Sequence, residues 1–189
     1  MNRTTHLLAL TGIMLVAACD PAPTAAGGAI DRDAVKVETR RIGDRDTDVR
    51  KDLATLRRVT AKLHRFSAAK VAGWDTKITP CMFSAQGGMG YHYGRPQYIN
   101  DGKVQVDEPE LLLFEPEKNG RFRLVAVEYI LPGSPTDPAP SLFGRSFTYN
   151  TTFGVWALHA WVWRNNPSGI FADWNPRVSC AYATDVLAM

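Results

Sequence analysis

Between Val155 and Trp163, nine consecutive residues carry a single titratable side chain, His159. Period-2 alternation puts Val155, Ala157, His159, Trp161 and Trp163 on one face of a strand and Trp156, Leu158, Ala160 and Val162 on the other. Both faces are apolar, the mark of a central strand covered on each side. The run Phe122–Leu131 repeats the situation. Phe122, Leu124, Ala126, Glu128 and Ile130 share one face, and Val125, Val127, Tyr129 and Leu131 line most of the other. A chain with two such runs must build a sheet covered on both sides, and it carries one histidine and one glutamate into that interior.

The remaining elements follow from period and turn chemistry. Leu111–Phe114 is a third apolar run, joined to Phe122–Leu131 by the hairpin signal Glu117-Lys118-Asn119-Gly120. Four prolines between Pro132 and Pro140 make that stretch a loop, as do Asn165-Asn166-Pro167 and Trp174-Asn175-Pro176. Upstream, Leu53, Leu56, Val59, Leu63 and Phe66 recur at steps of three and four, an amphipathic helix with Asp48 as N-cap and Gly73 as stop. Lys51, Arg57, Arg58, Lys62 and Arg65 fall largely off that stripe and read as a solvated face. The fold class is α+β: an N-terminal amphipathic helix packed on a mainly antiparallel sheet that curls towards a barrel.

The N-terminal segment has a different character. Arg3 precedes a short apolar run from about Leu7, and small residues lead to Cys19. The run is too short for a membrane span, which needs about 20 apolar residues, and reads as a secretory signal peptide over 1–18. The cysteine at the cleavage point resembles the lipobox of bacterial lipoproteins, which implies lipidation of Cys19 and a domain held at the cell membrane, facing the periplasm or the exterior. Asp20 resembles the inner-membrane retention signal of enteric lipoproteins. Residues 19–47 are small or charged without a clear period and read as a flexible tether. Residues 48–189 form the single domain.

Charge and cysteine usage narrow the partners. Lys and Arg number 22 against 19 Asp and Glu, a net +3 with no basic block, which argues against nucleic acid. With Cys19 reserved for lipid, Cys81 and Cys180 are left in an oxidising compartment, where a bridge between them is expected. It would close a loop contributing roughly 4.7 kcal/mol in the chain-entropy description. Two unpaired buried thiols are the competing reading.

No G-x-S-x-G, C-x-x-C, H-E-x-x-H or P-loop motif occurs. Gly87-Gly88-Met89-Gly90 lacks the dinucleotide fingerprint and reads as a turn or a close backbone approach. Beyond residue 18 the histidines are His64, His92 and His159. His64 lies off the helical stripe and is expected to be exposed. His92 sits between Tyr91 and Tyr93 in a glycine-bounded aromatic segment. His92, Glu128 and His159 are the ligand types of a zinc or non-haem iron centre, with Glu110 and Glu115 as further oxygen ligands. Were the centre catalytic, it would activate water, with Glu110 or Glu115 as general base. The opposing reading makes the histidines hydrogen-bonded core residues and pairs Glu128 with Arg121, Arg123 or Arg145. Five tryptophans supply another lead. Trp174, in a loop, could present an aromatic surface to a glycan or peptide.

Several segments together carry a resemblance: Gly88-Met89-Gly90-Tyr91-His92-Tyr93, Pro109 to Pro116, Val127-Glu128-Tyr129, Leu158 to Trp163 and Asn166 to Cys180. The ordered series is similar to a family of secreted or lipid-anchored bacterial proteins of unknown function. It spans roughly Thr60 to Cys180 and implies an architecture and candidate positions rather than a reaction. The expectation is therefore a lipid-anchored extracytoplasmic domain binding a divalent metal through His92, Glu128 and His159. The alternative is a non-enzymatic envelope protein that binds glycan or peptide through its tryptophans.

Overall fold

The computed structural model describes residues 32–189; the expected signal peptide, Cys19 and the first part of the expected tether lie outside the described residues. The described residues begin with α1 (Arg32–Thr60), a 3-10 turn (Ala61–His64) and α2 (Phe66–Val71). Strands β1 (Thr76–Lys77), β2 (Cys81–Ser84) and β3 (Gly87–Gly94) follow, then the short α3 (Pro96–Ile99). The long strands β4 (Leu111–Pro116) and β5 (Phe122–Pro132) come next. Small strands β6 (Ser141–Leu142), β7 (Arg145–Ser146) and β8 (Thr148–Asn150) lead into β9 (Val155–Ala160), and β10 (Val186–Ala188) ends the chain.

One curled sheet has the order β10-β2-β3-β4-β5-β9-β8, with β1 also against β3, and β6 pairs with β7 apart from it. Among the described strands only β10–β2 is parallel. The expected α+β class and antiparallel curl are both present, as a half-barrel. The predicted hairpin also forms: Gly120 N–H donates to Glu117 O at 2.9 Å, and φ of +75° at Gly120 is the conformation that selects glycine.

The helical layer covers one face. Leu53, Leu56 and Leu63 pack with Leu112, Phe114, Leu124, Val127, Tyr129, Leu158 and Ala160. Met82, Met89, Leu111, Leu113, Ala126, Ile130 and Trp161 fill the other, concave side. Two boundaries depart from expectation. Helix α1 starts at Arg32 rather than at an Asp48 cap, so the stretch read as tether is helical from Arg32 onward. It lacks an apolar stripe there, and the helix propensity of its Arg, Lys and Glu residues continues what the packed end begins. The stripe itself breaks at Arg65, whose extended ψ of 117° separates the 3-10 turn from α2. Gly73, at φ +105°, closes the helical layer as predicted, its N–H donating to Lys70 O at 3.0 Å.

The second departure changes which residues share a face. Pairing slips between Leu113 and Phe114, leaving Val125 as an extra residue between Leu124 and Ala126. Phe122 and Leu124 therefore turn to the helical side, while Ala126 and Ile130 stay with the concave side. The five-residue face expected of this run is split by the bulge. Strand β9 likewise ends at Ala160 instead of Trp163. Trp163 swings to the helical side, where its indole N–H donates to Thr60 Oγ1 at 3.1 Å.

The glycine run is a strand with close backbone approaches. A Cβ on Gly88 would meet Val178 O at 2.7 Å, and one on Gly90, at φ +90°, would meet Phe114 O at 2.5 Å. Cys81 and Cys180 are bonded, tying the start of β2 to the C-terminal segment across 99 positions.

Candidate metal centre

Register builds the site. Glu128 on β5 is the direct partner of His159 on β9, and Leu111 on β4 is its partner on the other side. His92 on β3 pairs with Leu113, two residues along β4. Strands two apart in a flat sheet lie about 9.6 Å from one another. Curling closes that gap: His92 Nε2 stands 3.4 Å from Glu128 Oε2, across β4. His159 Nε2 stands 3.6 Å from Glu128 Oε1. One ligand atom from each of the three residues lies within 4.8 Å of the others, and all three residues are buried. Ligand atoms around a tetrahedral zinc are separated by about 3.3 Å, given metal–ligand bonds of about 2.0–2.1 Å. The group could hold a metal ion.

The outer partners fit the same use. His92 Nδ1 shares a 2.8 Å hydrogen bond with Thr79 Oγ1, from the irregular link between β1 and β2. The tautomer protonated on Nδ1 donates to Thr79 and turns a bare Nε2 towards Glu128. A lone pair facing a carboxylate needs a proton or a cation between them. Around His159, Nδ1 lies 3.5 Å from Asp173 Oδ1, too long for a hydrogen bond, and both ring nitrogens are buried without a hydrogen-bond partner. A carboxylate behind a ligand histidine is the usual outer support of a metal-bound imidazole. Two orphaned nitrogens beside a buried carboxylate are costly as they stand, and coordination would satisfy Nε2.

Electrostatics follow burial. Burial, then the neighbouring His159, depress the His92 pKa to about 3, so this imidazole is neutral at any physiological pH. Burial raises the Glu128 carboxyl above its ordinary range, against the pull of His159. Burial also opposes charge on His159, but the Glu128 and Asp173 carboxylates outweigh it and lift its pKa. Asp173, half out in solvent, is held low by His159.

The three residues form the floor of a cavity of about 430 Å³. Its walls are largely apolar, with Met82, Met89, Leu111, Ile130 and Val155 among them, and Trp174 closes one side. Trp174 and the candidate ligands, two separate leads in the sequence, thus meet at one pocket. No exposed tryptophan platform exists: Trp74 and Trp161 are buried, and Trp156, Trp163 and Trp174 half-buried.

Other expectations resolve differently. Glu110 is buried, but alternation from Leu111 sends it to the opposite face, where Oε2 accepts the Ile130 N–H at 3.2 Å. Glu115 lies about 13 Å further along β4 than Leu111 and accepts the Ser179 N–H at 3.0 Å. Neither lines the cavity. Among the described residues no arginine reaches Glu128: Arg121 and Arg123 pair with Glu117, and Arg145 lies over the Phe171 ring. His64 is exposed as expected, with its ring edge against Trp163. Thr79 and Asp173 escaped sequence reasoning because both sit in irregular segments without a period. For Asp173 the one signal was its place beside Trp174.

No family model matches this chain, and no curated protein or solved structure matches it either. Among the described residues, no helix is long and apolar enough to cross a membrane.

Proposed function

We propose that this chain is a lipid-anchored extracytoplasmic domain that binds one divalent transition metal, zinc or iron(II), through His92, Glu128 and His159. The observation that carries the reading is the convergence of three buried ligand atoms from three strands, with both His159 nitrogens unpaired. Two histidines and one carboxylate with a further position facing a cavity is a ligand set shared by zinc hydrolases and by non-haem iron oxygenases. A metal bound there would supply a Lewis acid towards whatever occupies the cavity. The protein's own residues do the rest: Thr79 holds the His92 ring through Nδ1, the Asp173 carboxylate stands 3.5 Å behind His159, and apolar side chains line much of the cavity.

The membrane attachment rests on Cys19 and the apolar run before it, and the disulfide fits the oxidising compartment that attachment implies. Cobalt(II) titration of the metal-free full chain tests the metal reading. Saturation at one equivalent, with a visible d–d spectrum distinct from that of free cobalt, supports it. No saturable spectral change, or the same change in His92→Ala, counts against it.

A further inference from the structure

The cavity above the three ligands is uneven in its chemistry. Its floor holds His92, Glu128 and His159, with Asp173 beside them. Above that floor the lining is mainly hydrocarbon and thioether, and Trp174 flanks it. At the mouth, Ile78, Phe153 and Met189 keep 42%, 42% and 49% of their surface exposed. These apolar groups gain burial only when something apolar lies against them. Polar residues in the lining other than the floor are confined to Thr79 and to the β8 edge, Thr148 to Thr151. No lysine or arginine lines the cavity among the described residues, so no side chain there would pair with a phosphate or a second carboxylate. Asp173, largely exposed, adds negative charge to one side.

We infer that the ligand of this site is a small amphiphile: one oxygen-donor head bound at the floor, and an uncharged apolar tail along Leu111, Ile130, Val155 and Trp174. The inference rests on the metal reading and goes further, because a metal site of the same ligands could equally serve a polar or polyanionic molecule. The volume, about 430 Å³, falls within the range of small-molecule sites and is too small for a polymer segment to be enclosed. With no lysine or arginine in the lining, a nucleotide or phosphate ester would have the metal alone to balance its charge, beside the carboxylates of Glu128 and Asp173. Hydrogen-bonding side chains gather at Thr79 and along the β8 edge, so a sugar lying against Leu111, Ile130 and Val155 would leave the hydroxyls on that side unpaired.

The test uses the zinc-loaded full chain and four hydroxamate probes that share one metal-binding head. Acetohydroxamate, butyrohydroxamate and hexanohydroxamate lengthen the apolar tail, and succinic acid monohydroxamate ends it in a carboxylate. Isothermal titration should show affinity rising roughly fourfold per added methylene. The carboxylated probe should bind more weakly than butyrohydroxamate, which has the same four-carbon backbone. Ala157→Phe, with Val155→Phe as a second way of filling the same space, should flatten the series while zinc content stays at the wild-type level. Equal affinity across the alkyl series on zinc-loaded protein, or tightest binding by the carboxylated probe, overturns the inference and leaves the metal reading standing. Failure of the wild-type chain to take up zinc overturns both.

Discussion

Glu128 and His159 face each other as a register pair across β5 and β9, with Glu128 Oε1 3.6 Å from His159 Nε2, both side chains buried. The pair sets the protonation of the metal-free site. Burial alone would hold His159 neutral, but the Glu128 carboxylate, helped by Asp173, raises its pKa above the ordinary imidazole value. Glu128→Gln removes the first of these attractions and leaves Asp173 alone to oppose burial. NMR titration of the metal-free protein should find the His159 midpoint above the ordinary imidazole value in the wild type and lowered in the variant. An unchanged midpoint would show that the two groups do not sense each other.

Asp173 approaches His159 Nδ1 to 3.5 Å from a loop, close enough to tighten into a hydrogen bond when His159 binds a metal, and its side chain is 56% exposed. Asp173→Asn should therefore leave the unfolding midpoint almost unmoved, within about 0.5 kcal/mol. It should lower zinc affinity by about 10–100-fold, the usual effect of removing such a support. A competition titration against a chromophoric chelator measures it. Unchanged affinity would make the 3.5 Å approach incidental.

How much of this was readable without coordinates depends on how far each feature is local. A histidine and a glutamate in otherwise apolar strands stand out because burial makes any polar group there conspicuous, and Glu128 and His159 were legible for that reason. His92 was marked by its aromatic, glycine-bounded surroundings. The bulge at Val125 was not legible: it depends on how β5 meets β4, and one inserted residue inverts every face assignment before it. Strands as short as β1 and β10 carry too few residues to show a period. The meeting of Thr79 and Asp173 with the two histidines is a product of sheet curvature, which no single segment encodes.

Glu110 gives the fold a pH dependence from outside the cavity, with burial as its main cause. Burial raises its pKa from 4.5 to about 8, so the folded protein keeps a proton that the unfolded chain releases. The unfolded state then binds fewer protons between these values, and stability falls as pH rises from about 4.5 to about 8. Each unit of separation corresponds to about 1.4 kcal/mol as an upper figure. Glu110→Gln keeps an acceptor for the Ile130 N–H and removes the titration. Urea unfolding at pH 5 and pH 8.5 should show a clear loss in the wild type and a much smaller one in the variant. Parallel losses would place the dependence elsewhere.

The Cys81–Cys180 bond closes nearly the whole sheet, its ends a sequence separation of 99 apart. Replacing both cysteines by serine should lower unfolding free energy by several kcal/mol, up to about 4.7 in the chain-entropy description. Because β10 pairs with β2 and Met189 reaches the cavity mouth, the C-terminal segment should loosen first. Hydrogen exchange at Val186 to Ala188 would show it, and protection there equal to the oxidised protein would contradict it.

The most direct measurement is the metal content of the chain purified without tag or chelator from a bacterial periplasm, by inductively coupled plasma mass spectrometry. Binding by His92, Glu128 and His159 predicts close to one zinc or iron per chain, absent from folded His92→Ala and His159→Ala. A wild-type chain without metal, showing no thermal shift on adding zinc or iron(II), would return both histidines to the role of core residues.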